Sequence, residues 1–325
     1  MARAPRFAAI DIGSNTVHLL VAACPQQRLP QPVLRRRAFV QLGEDVRARG
    51  EIGDERASRA AETVRYQVQE ARRQGAEAVA LGATQALRAA RNGQEVAERL
   101  AAAGGGGPVR VLTSAVEAQL AFDGATMTIS PGRQTVVLDI GGASAEVAVG
   151  SAGQRCHHDS LPLGSGMISA LAATDPPSED DWLLMQHEVT RRLPDLVPLP
   201  SEAVKLGTGG TITNLPRLLG HPRGALLLLR EVEQLLRAFA REAVATLSER
   251  SGVEPERVRL CRGGALILAQ LMDLLHLDSV RASERGLRDG MIAALVGRGD
   301  DWWRSAEGGA SAALATVLLP GAPGG

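Results

Sequence analysis

The sequence predicts an α/β protein with a duplicated two-lobed architecture and a cleft between the lobes. The stretch FAAIDIGSNTVHLLVAA at residues 7–23 returns at residues 136–149 as VVLDIGGASAEVAV. In both copies two apolar runs, typical of strands, flank a short turn that contains Asp-x-Gly. Strands and helices alternate after each copy, as they do in α/β proteins. A chain of 325 residues is also long enough for two domains.

The first half of the chain begins with the strand-turn-strand segment at residues 7–23 and continues with further strands and helices. A helix is predicted from the N-cap residue Asp54 to Gly75, because alanine and valine recur there at helical spacing. The remaining periodicity predicts strands at 7–12, 16–23, 33–40, 77–82 and 109–112, and helices at 92–103 and 115–125.

The second half repeats this order. The apolar pattern predicts strands at 135–140, 145–149, 155–162, 203–207, 257–261 and 279–283. It predicts helices at 179–193, 211–219, 225–248, 264–275 and 286–296. We therefore expect lobes at 1–125 and 126–300, followed at 301–325 by a tail that is partly mobile.

Composition narrows the class of protein. Lys plus Arg and Asp plus Glu both number 36, so an overall basic field for nucleic-acid binding is not expected. The three cysteines form no CxxC pair, which favours a reducing cytoplasm over a disulfide or zinc framework. We expect no signal peptide and no membrane span, because the most apolar window is far too short.

The two Asp-x-Gly turns combine close backbone approach with short hydrogen-bond donors. Glycine lets a ligand approach the backbone, and successive N–H groups in such turns form anion sites. We expect these turns to bind phosphate through Gly13, Ser14, Asn15, Thr16, Gly141, Gly142, Ala143 and Ser144.

Carboxylates beside a phosphate would repel it unless a cation lies between them. Asp11, Asp139 and Glu146 therefore predict a divalent metal, Mg²⁺ with Mn²⁺ as an alternative. The competing interpretation is an ordinary hairpin turn in which Asp and Gly only form the bend. Because the whole strand-turn-strand segment occurs twice, we favour the metal and phosphate site over a simple turn.

Two further glycine-rich segments follow predicted strands. GTGGT at 207–211 and Gly263-Gly264 are each predicted to open a helix, where N–H groups and the helix dipole favour a phosphate. Thr208, Gly209 and Gly210 are the more specific set. A Gly-Gly pair at 263–264 is equally typical of close helix packing.

Several motifs occur together in the order of a known family. They are IDIGSNTVHLL, GATQALRAARN at 82–92, LDIGGASAEV at 138–147, GTGGT and GLRDGM at 286–291. With them the chain resembles the exopolyphosphatase and guanosine pentaphosphate phosphatase family over residues 7–296. The resemblance implies the duplicated actin-like fold, which is ribonuclease-H-like and shared with acetate and sugar kinases, in its short two-domain form.

The resemblance implies an exopolyphosphatase that releases terminal orthophosphate from inorganic polyphosphate by water attack with Mg²⁺. Hydrolysis of guanosine pentaphosphate (pppGpp) is the alternative within the family. A kinase of the same fold, a phosphate or nucleotide sensor and an actin-like filament are further alternatives. A homodimer is compatible with all of the enzymatic ones.

The family's catalytic base falls on Glu117, within Thr113-Ser114-Ala115-Val116-Glu117-Ala118-Gln119. Ser114 and Glu117 also have the spacing of a capping box, so helix capping is the competing interpretation. This chain has Thr113-Ser114 in place of Ser-Gly, Gln119 in place of Arg, and Ala143 in place of a third turn glycine.

Other charged residues have two interpretations each. Glu146 is expected to assist with metal or water. His18, at the equivalent position of the first copy, is expected to fill its strand, with a direct contact to phosphate as the alternative. Arg88, Asn92 and Arg288 are candidate substrate contacts, with a structural ion pair as the alternative for Arg288. Arg35-Arg36-Arg37 lies inside a strand and either decorates a sheet edge or guides a polyanion.

Overall fold

A computed structural model describes residues 4–26, 28–105, 107–193 and 202–306 of the chain. The described residues form two compact units. The first unit contains the residues up to Met127 together with those from Arg285 onward, and the second contains Thr128–Glu284.

The first unit is built on a mixed sheet with the strand order β3-β2-β1-β4-β5. Strands β1, β4 and β5 are parallel, whereas β2 and β3 run antiparallel to their neighbours as consecutive hairpins. The strands are β1 (Arg6–Ile12), β2 (Thr16–Ala23), β3 (Gln31–Phe39), β4 (Ala76–Ala83) and β5 (Val109–Val111).

Helices cover both faces of this sheet because its strands are apolar on both sides. One face packs on the alanine and valine stripe of the long helix α2, and the other face packs on α5 and α13. The helices are α1 (Leu42–Arg49), α2 (Asp54–Arg73), α3 (Gln85–Ala89), α4 (Gly93–Ala103), α5 (Ser114–Thr126) and α13 (Leu287–Arg298), followed by a 3-10 helix (Gly299–Ala306).

The second unit repeats the strand arrangement of the first. Its sheet has the order β10-β11-β9-β6-β7-β8, in which β8-β7-β6-β9-β11 matches β3-β2-β1-β4-β5 in order and in direction. The strands are β6 (Gln134–Ile140), β7 (Ala145–Ser151), β8 (Cys156–Leu161), β9 (Val204–Thr208), β10 (Leu226–Leu228) and β11 (Ser279–Ala282). The duplicated α/β class predicted from the sequence is confirmed.

The helices of the second unit surround an apolar core in which α12 is central. They are α6 (Ser165–Ser169), α7 (Glu179–Arg192), α8 (Gly209–Ile212), α9 (Leu215–Leu218), α10 (Leu229–Arg241), α11 (Val244–Ser251) and α12 (Pro255–Leu274). Helix α7, predicted at 179–193, begins with a capping box between Ser178 and Asp181.

The predicted strand at 257–261 is wrong, because these residues belong to the first two turns of α12. Pro255 at the start of the helix marks a helix N-terminus, which the apolar run after it obscured. The predicted helix at 225–248 is also interrupted. Its leucine run forms strand β10 at the sheet edge, and a break after Arg241 separates α10 from α11.

Helix α13 belongs to the first unit, although the sequence analysis assigned residues 286–296 to the second lobe. Met291, Ile292 and Leu295 pack with apolar residues of β1, β2 and α5. The short helices α1, α3 and α6 were not predicted, because five to eight residues give little periodicity. The predicted mobile tail lies mostly outside the described residues.

No helix within the described residues is long and apolar enough to cross a membrane.

Candidate functional site

The two Asp-x-Gly segments form the same turn. Gly13 N–H donates to the Thr16 carbonyl at 3.0 Å, and Gly141 N–H donates to the Ser144 carbonyl at 2.9 Å. Ser14, Asn15, Thr16 and Ser144 are all buried. The structure therefore brings each predicted set of phosphate contacts together within its own unit.

Each turn is held by the short helix that follows the third strand of its unit. Gly43 N–H at the start of α1 donates to the Ser14 carbonyl at 2.8 Å, and Gly166 N–H at the start of α6 donates to the Gly142 carbonyl at 2.9 Å. Each helix has a Leu-Gly pair at its start: Leu42-Gly43 forms the first two residues of α1, and Leu163-Gly164 directly precedes α6. A Cβ on Gly164 would lie 2.3 Å from the Ala143 nitrogen, so only glycine allows this approach.

The Leu-Gly pair is the signal that the sequence analysis missed. It follows the third strand in both copies, so it belongs to the internal repeat. Asn15 also gains a structural reason for its predicted role. Its buried side-chain nitrogen makes no hydrogen bond with the described residues, and an unpaired buried donor is costly unless an acceptor reaches it.

Asp11 is the penultimate residue of β1 and lies beside Arg288 of α13. Their nearest atoms, Asp11 Oδ2 and Arg288 Nη1, are 3.8 Å apart, and only 16% of the Asp11 side chain is exposed. Burial raises the pKa of Asp11 to about 6, although the Arg288 guanidinium opposes this shift. The ion-pair alternative for Arg288 is thus the one that the structure displays.

Glu117 lies in the first turn of α5, just after β5. Arg88 Nη1 donates to Glu117 Oε2 at 2.9 Å and to the Leu112 carbonyl at 2.6 Å, while Arg88 Nη2 donates to Gln85 Oε1 at 2.7 Å. Because β1, β4 and β5 are parallel, the segments after their carboxyl ends meet at one edge of the sheet, where α/β proteins bind ligands.

The N-cap of α5 is Thr113, whose side chain accepts a hydrogen bond from Val116 N–H at 3.3 Å. The helix thus starts at Ser114, one residue earlier than a capping box between Ser114 and Glu117 requires. Gln119 is buried and donates to Asp123 at 2.7 Å.

Asn92 has both ends of its amide bonded to Ile52. Its oxygen accepts from the Ile52 N–H at 2.9 Å, and its nitrogen donates to the Ile52 carbonyl at 2.8 Å. A substrate contact of Asn92 stays a prediction, and it would have to compete with these two bonds. His18 lies within its strand, with its Nε2 2.7 Å from Thr16 Oγ1.

The second unit pairs two carboxylates across neighbouring strands. Asp139 of β6 lies directly opposite Glu146 of β7, and Glu146 lies opposite Ser160 of β8. Ser160 Oγ donates to Glu146 Oε1 at 3.1 Å, and Glu146 is buried. Directly opposed residues of antiparallel strands point to the same face, and like charges in such pairs repel.

This pair of carboxylates fits a cation. Within the described part of the chain, no group of three or more His, Cys, Asp and Glu side chains could hold a metal. Mg²⁺ is commonly bound by one or two carboxylates, with waters and substrate phosphates as the other ligands. Asp139 and Glu146 supply that number of protein ligands.

The two glycines of the turn after β9 lie close to two charged side chains, Gly209 to Asp139 and Gly210 to Arg257. Gly209 has a φ of 89°, and a Cβ there would lie 2.5 Å from Asp139 Oδ1. A Cβ on Gly210 would lie 2.5 Å from Arg257 Nη1. The buried Arg257, in the first turn of α12, is thus a charged neighbour of the predicted phosphate turn that the sequence analysis missed. Because residues 257–261 were predicted to form a strand, Arg257 was not expected beside this turn.

Gly263 and Gly264 do not open a helix, which corrects their predicted role as a phosphate turn. They lie in the middle of α12, where a Cβ on Gly264 would be 2.3 Å from Thr211 Oγ1 and one on Gly263 would be 2.7 Å from the Ser165 carbonyl oxygen. Their N–H groups belong to the helix interior. The pair allows α12 to pack closely on α6 and α8.

The fold defines the class of the protein. Two units with one strand arrangement, each with a glycine turn between its first two strands, are the duplicated actin-like fold. The chain belongs to the Ppx/GppA phosphatase family, whose sequence model matches residues 20–298. It is therefore an enzyme, a hydrolase of phosphoanhydride bonds.

Individual relatives agree with this assignment. The chain is 30% identical to exopolyphosphatase 2 of Mycobacterium tuberculosis over 326 residues, which covers 90% of this chain and 99% of the relative. The Aquifex aeolicus PPX-GPPA enzyme has a similar structure, with a TM-score of 0.72, 26% identity and coverage of 89% and 99% of the two chains. An exopolyphosphatase from Cytophaga hutchinsonii, 21% identical, shares the fold with a TM-score of 0.77 over 90% and 98%.

Proposed function

We propose that the protein is a metal-assisted exopolyphosphatase that removes terminal orthophosphate from inorganic polyphosphate. The proposal depends on the position of Glu117 in the first turn of α5. Its carboxylate is held by an ion pair with Arg88, in which Arg88 Nη1 and Glu117 Oε2 are 2.9 Å apart. The relative from Mycobacterium tuberculosis supports polyphosphate as the substrate, because it carries the name exopolyphosphatase and covers nearly the whole chain.

Glu117 acts as the general base in this proposal. Its carboxylate takes a proton from a water molecule, whose oxygen then attacks the terminal phosphorus. The phosphoanhydride P–O bond breaks, and the shortened chain leaves with the bridging oxygen. A positioned base contributes about 10²–10⁴ in rate. Arg88 fixes the direction of the carboxylate, since it is also bonded to the Leu112 carbonyl.

The glycine turns supply N–H groups to the phosphate oxygens, where negative charge develops. Ser14 and Thr16 in the first unit, and Ser144 in the second, add short hydroxyl donors. Asp139 and Glu146 would hold Mg²⁺. When bound, the metal supplies positive charge that stabilises the reacting phosphate oxygens.

Phosphate release tests the proposal directly. The full chain would be incubated with polyphosphates of several lengths, with pppGpp and with ATP, each with Mg²⁺ and with excess chelator. We expect Mg²⁺-dependent release of orthophosphate from polyphosphate at a higher kcat/KM than from pppGpp or ATP. Release only from pppGpp, or phosphoryl transfer from ATP to an acceptor, would contradict the proposal.

A further inference from the structure

The arginine run of β3 divides between the two faces of the first sheet. Strand β3 is an edge strand, and its Arg35 and Arg37 lie opposite Leu20 and His18 of β2. We call the side of the first sheet that packs on α5 and α13 the α13 face. Leu20 packs on this side, so Arg35 and Arg37 belong to the α13 face as well. Arg36, between them, lies opposite Leu19, which packs on the α2 face, so Arg36 points to that face. A groove beside Tyr66 of α2 is bordered by both Arg36 and Arg37.

Several arginines surround a buried carboxylate on the α13 face. Asp289 is buried there; Arg285 Nη1 lies 3.1 Å from its Oδ1, and Arg35 and Arg288 are close enough to act on its charge. Arg285 also donates to the Pro30 carbonyl at 3.0 Å, which ties the start of β3 to α13.

Among the described residues, Arg35, Arg37, Arg285 and Arg288 thus share this part of the face with the carboxylates Asp11 and Asp289. Arg35 is exposed and Arg37 is partly exposed, whereas Asp289 is buried. The two arginines of β3 therefore bring positive charge to the surface, in a chain whose total charge is zero.

This positive surface is continuous with the first glycine turn. Asp11, His18 and Arg37 lie directly opposite one another on three neighbouring strands, in one cross-strand row. With about 4.8 Å between strands, Arg37 lies roughly 10 Å from Asp11 along the sheet. Arg35 lies two residues further along β3, about 7 Å from Arg37.

We propose that Arg35 and Arg37 bind the distal phosphates of a long polyphosphate chain whose terminal phosphate occupies the first glycine turn. The inference rests on the proposed function, and it makes chain length a determinant of affinity. Guanidinium groups match phosphate oxygens in geometry and charge. Substrates too short to reach β3, including tripolyphosphate, gain nothing from this surface.

A nucleic-acid strand fits this surface less well than polyphosphate. Proteins bind single strands by stacking bases on exposed aromatic rings. Phe39, the aromatic residue of β3, is only partly exposed, and the Arg37 guanidinium lies 5.8 Å from its ring centre. Polyphosphate offers negative charge without bases and needs no stacking surface.

The test compares two variants of the full chain. The first is Arg35→Gln with Arg37→Gln; the matched control is Arg36→Gln, which removes the same charge from the other face of the same strand. We expect the double variant to lose about three- to thirtyfold in kcat/KM on long-chain polyphosphate, because two exposed charge contacts disappear. It should keep its kcat/KM on tripolyphosphate, and Arg36→Gln should resemble wild type on both substrates.

Equal losses on both substrates, no loss on the long chain, or the same loss in Arg36→Gln would overturn the inference. Direct binding separates it from the proposed function. Long-chain polyphosphate should bind the double variant more weakly than wild type even if neither hydrolyses it. Tighter binding of single-stranded RNA than of polyphosphate to the wild type would also overturn it. If the double variant unfolds, Arg35→Gln alone replaces it in the test. We then expect a smaller loss of kcat/KM on long-chain polyphosphate and no loss on tripolyphosphate.

Discussion

Arg88 donates to the Glu117 carboxylate at 2.9 Å and, through the same nitrogen, to the Leu112 carbonyl at 2.6 Å. One guanidinium group thus connects the first turn of α5 to the segment that follows β5. A carboxylate held in this way has one preferred direction, which is what a general base requires.

Replacing Glu117 with Gln separates catalysis from structure. The amide has nearly the same shape but cannot take a proton from water, so we expect kcat to fall by about 10²–10⁴. The melting temperature should change little, since Thr113 caps the helix. Steady-state kinetics and thermal unfolding measure the two effects. Turnover within a few fold of wild type would remove Glu117 from the mechanism.

Arg88→Ala tests whether Arg88 positions the base or binds substrate. A hydrogen bond to a charged group contributes about 1.5–3 kcal/mol, so we expect a loss of roughly ten- to hundredfold in kcat/KM. If Arg88 acts through Glu117, the loss lies in kcat and KM stays near wild type. A rise in KM with normal kcat would instead assign Arg88 to phosphate binding.

Asp139→Asn tests the metal site of the second unit. Removing one of two opposed carboxylates should raise the Mg²⁺ concentration needed for half-maximal activity and lower kcat, as a Mg²⁺ titration would show. Asp159→Asn is the matched control, because Asp159 lies opposite Val147, next to the Glu146–Ser160 pair along the strands but on the other face. An unchanged Mg²⁺ requirement in Asp139→Asn, or full wild-type activity in excess chelator, would contradict this assignment.

The buried carboxyl of Asp11 predicts a pH dependence of stability. Because its pKa is raised to about 6, the folded chain binds more protons than the unfolded chain between about pH 4 and pH 6. Its contribution to stability is therefore complete below pH 4 and is lost as the pH rises through 6. This loss amounts to roughly 3 kcal/mol at about 1.4 kcal/mol per pKa unit.

Urea unfolding of wild type and Asp11→Asn at several pH values, in chelator, measures this effect. The free energy of unfolding of Asp11→Asn relative to wild type should increase from pH 4 to pH 6 and then level off. A difference that stays constant with pH would show that the Asp11 carboxyl titrates normally.

Gly264→Ala tests the packing role of the glycine pair in α12. Its Cβ would lie 2.3 Å from Thr211 Oγ1, so we expect a loss of about 1–3 kcal/mol in the free energy of unfolding. Gly297→Ala is the matched control in α13, where no atom lies within 4 Å. There alanine should stabilise the helix by about 0.5–1 kcal/mol. Denaturant unfolding of both variants should give opposite signs.

The repeat made much of the fold predictable. Asp11 and Asp139 occupy equivalent positions of the repeated segment. The strands around them are either continuously apolar or alternate between apolar and polar residues, so both sheets could be predicted. The full length of helix α12 could not be predicted, because the apolar run after Pro255 is compatible with a buried strand as well as with a buried helix. Its true length also changed the role of Gly263 and Gly264.

The turns of the candidate site were predictable, as at Gly13 and Gly141, because each turn forms within a few residues of sequence. The site was not predictable where the partner is distant in sequence. Arg288 follows Asp11 by more than 270 positions, and only the packing of α13 on β1 brings them to 3.8 Å. Arg257 beside Gly210 is a second example, since neither residue's neighbours in sequence indicate the other.

The return of α13 to the first unit has a consequence for biosynthesis. Met291, Ile292 and Leu295 complete the apolar layer over Ala9 and Leu20, yet they leave the ribosome about 160 residues after α5. At translation rates of 5–20 residues per second, that layer stays uncovered for roughly 8–30 s. The second unit, which is continuous in sequence, emerges complete during this interval. The apolar layer of the first unit is therefore completed only after the second unit has been synthesised.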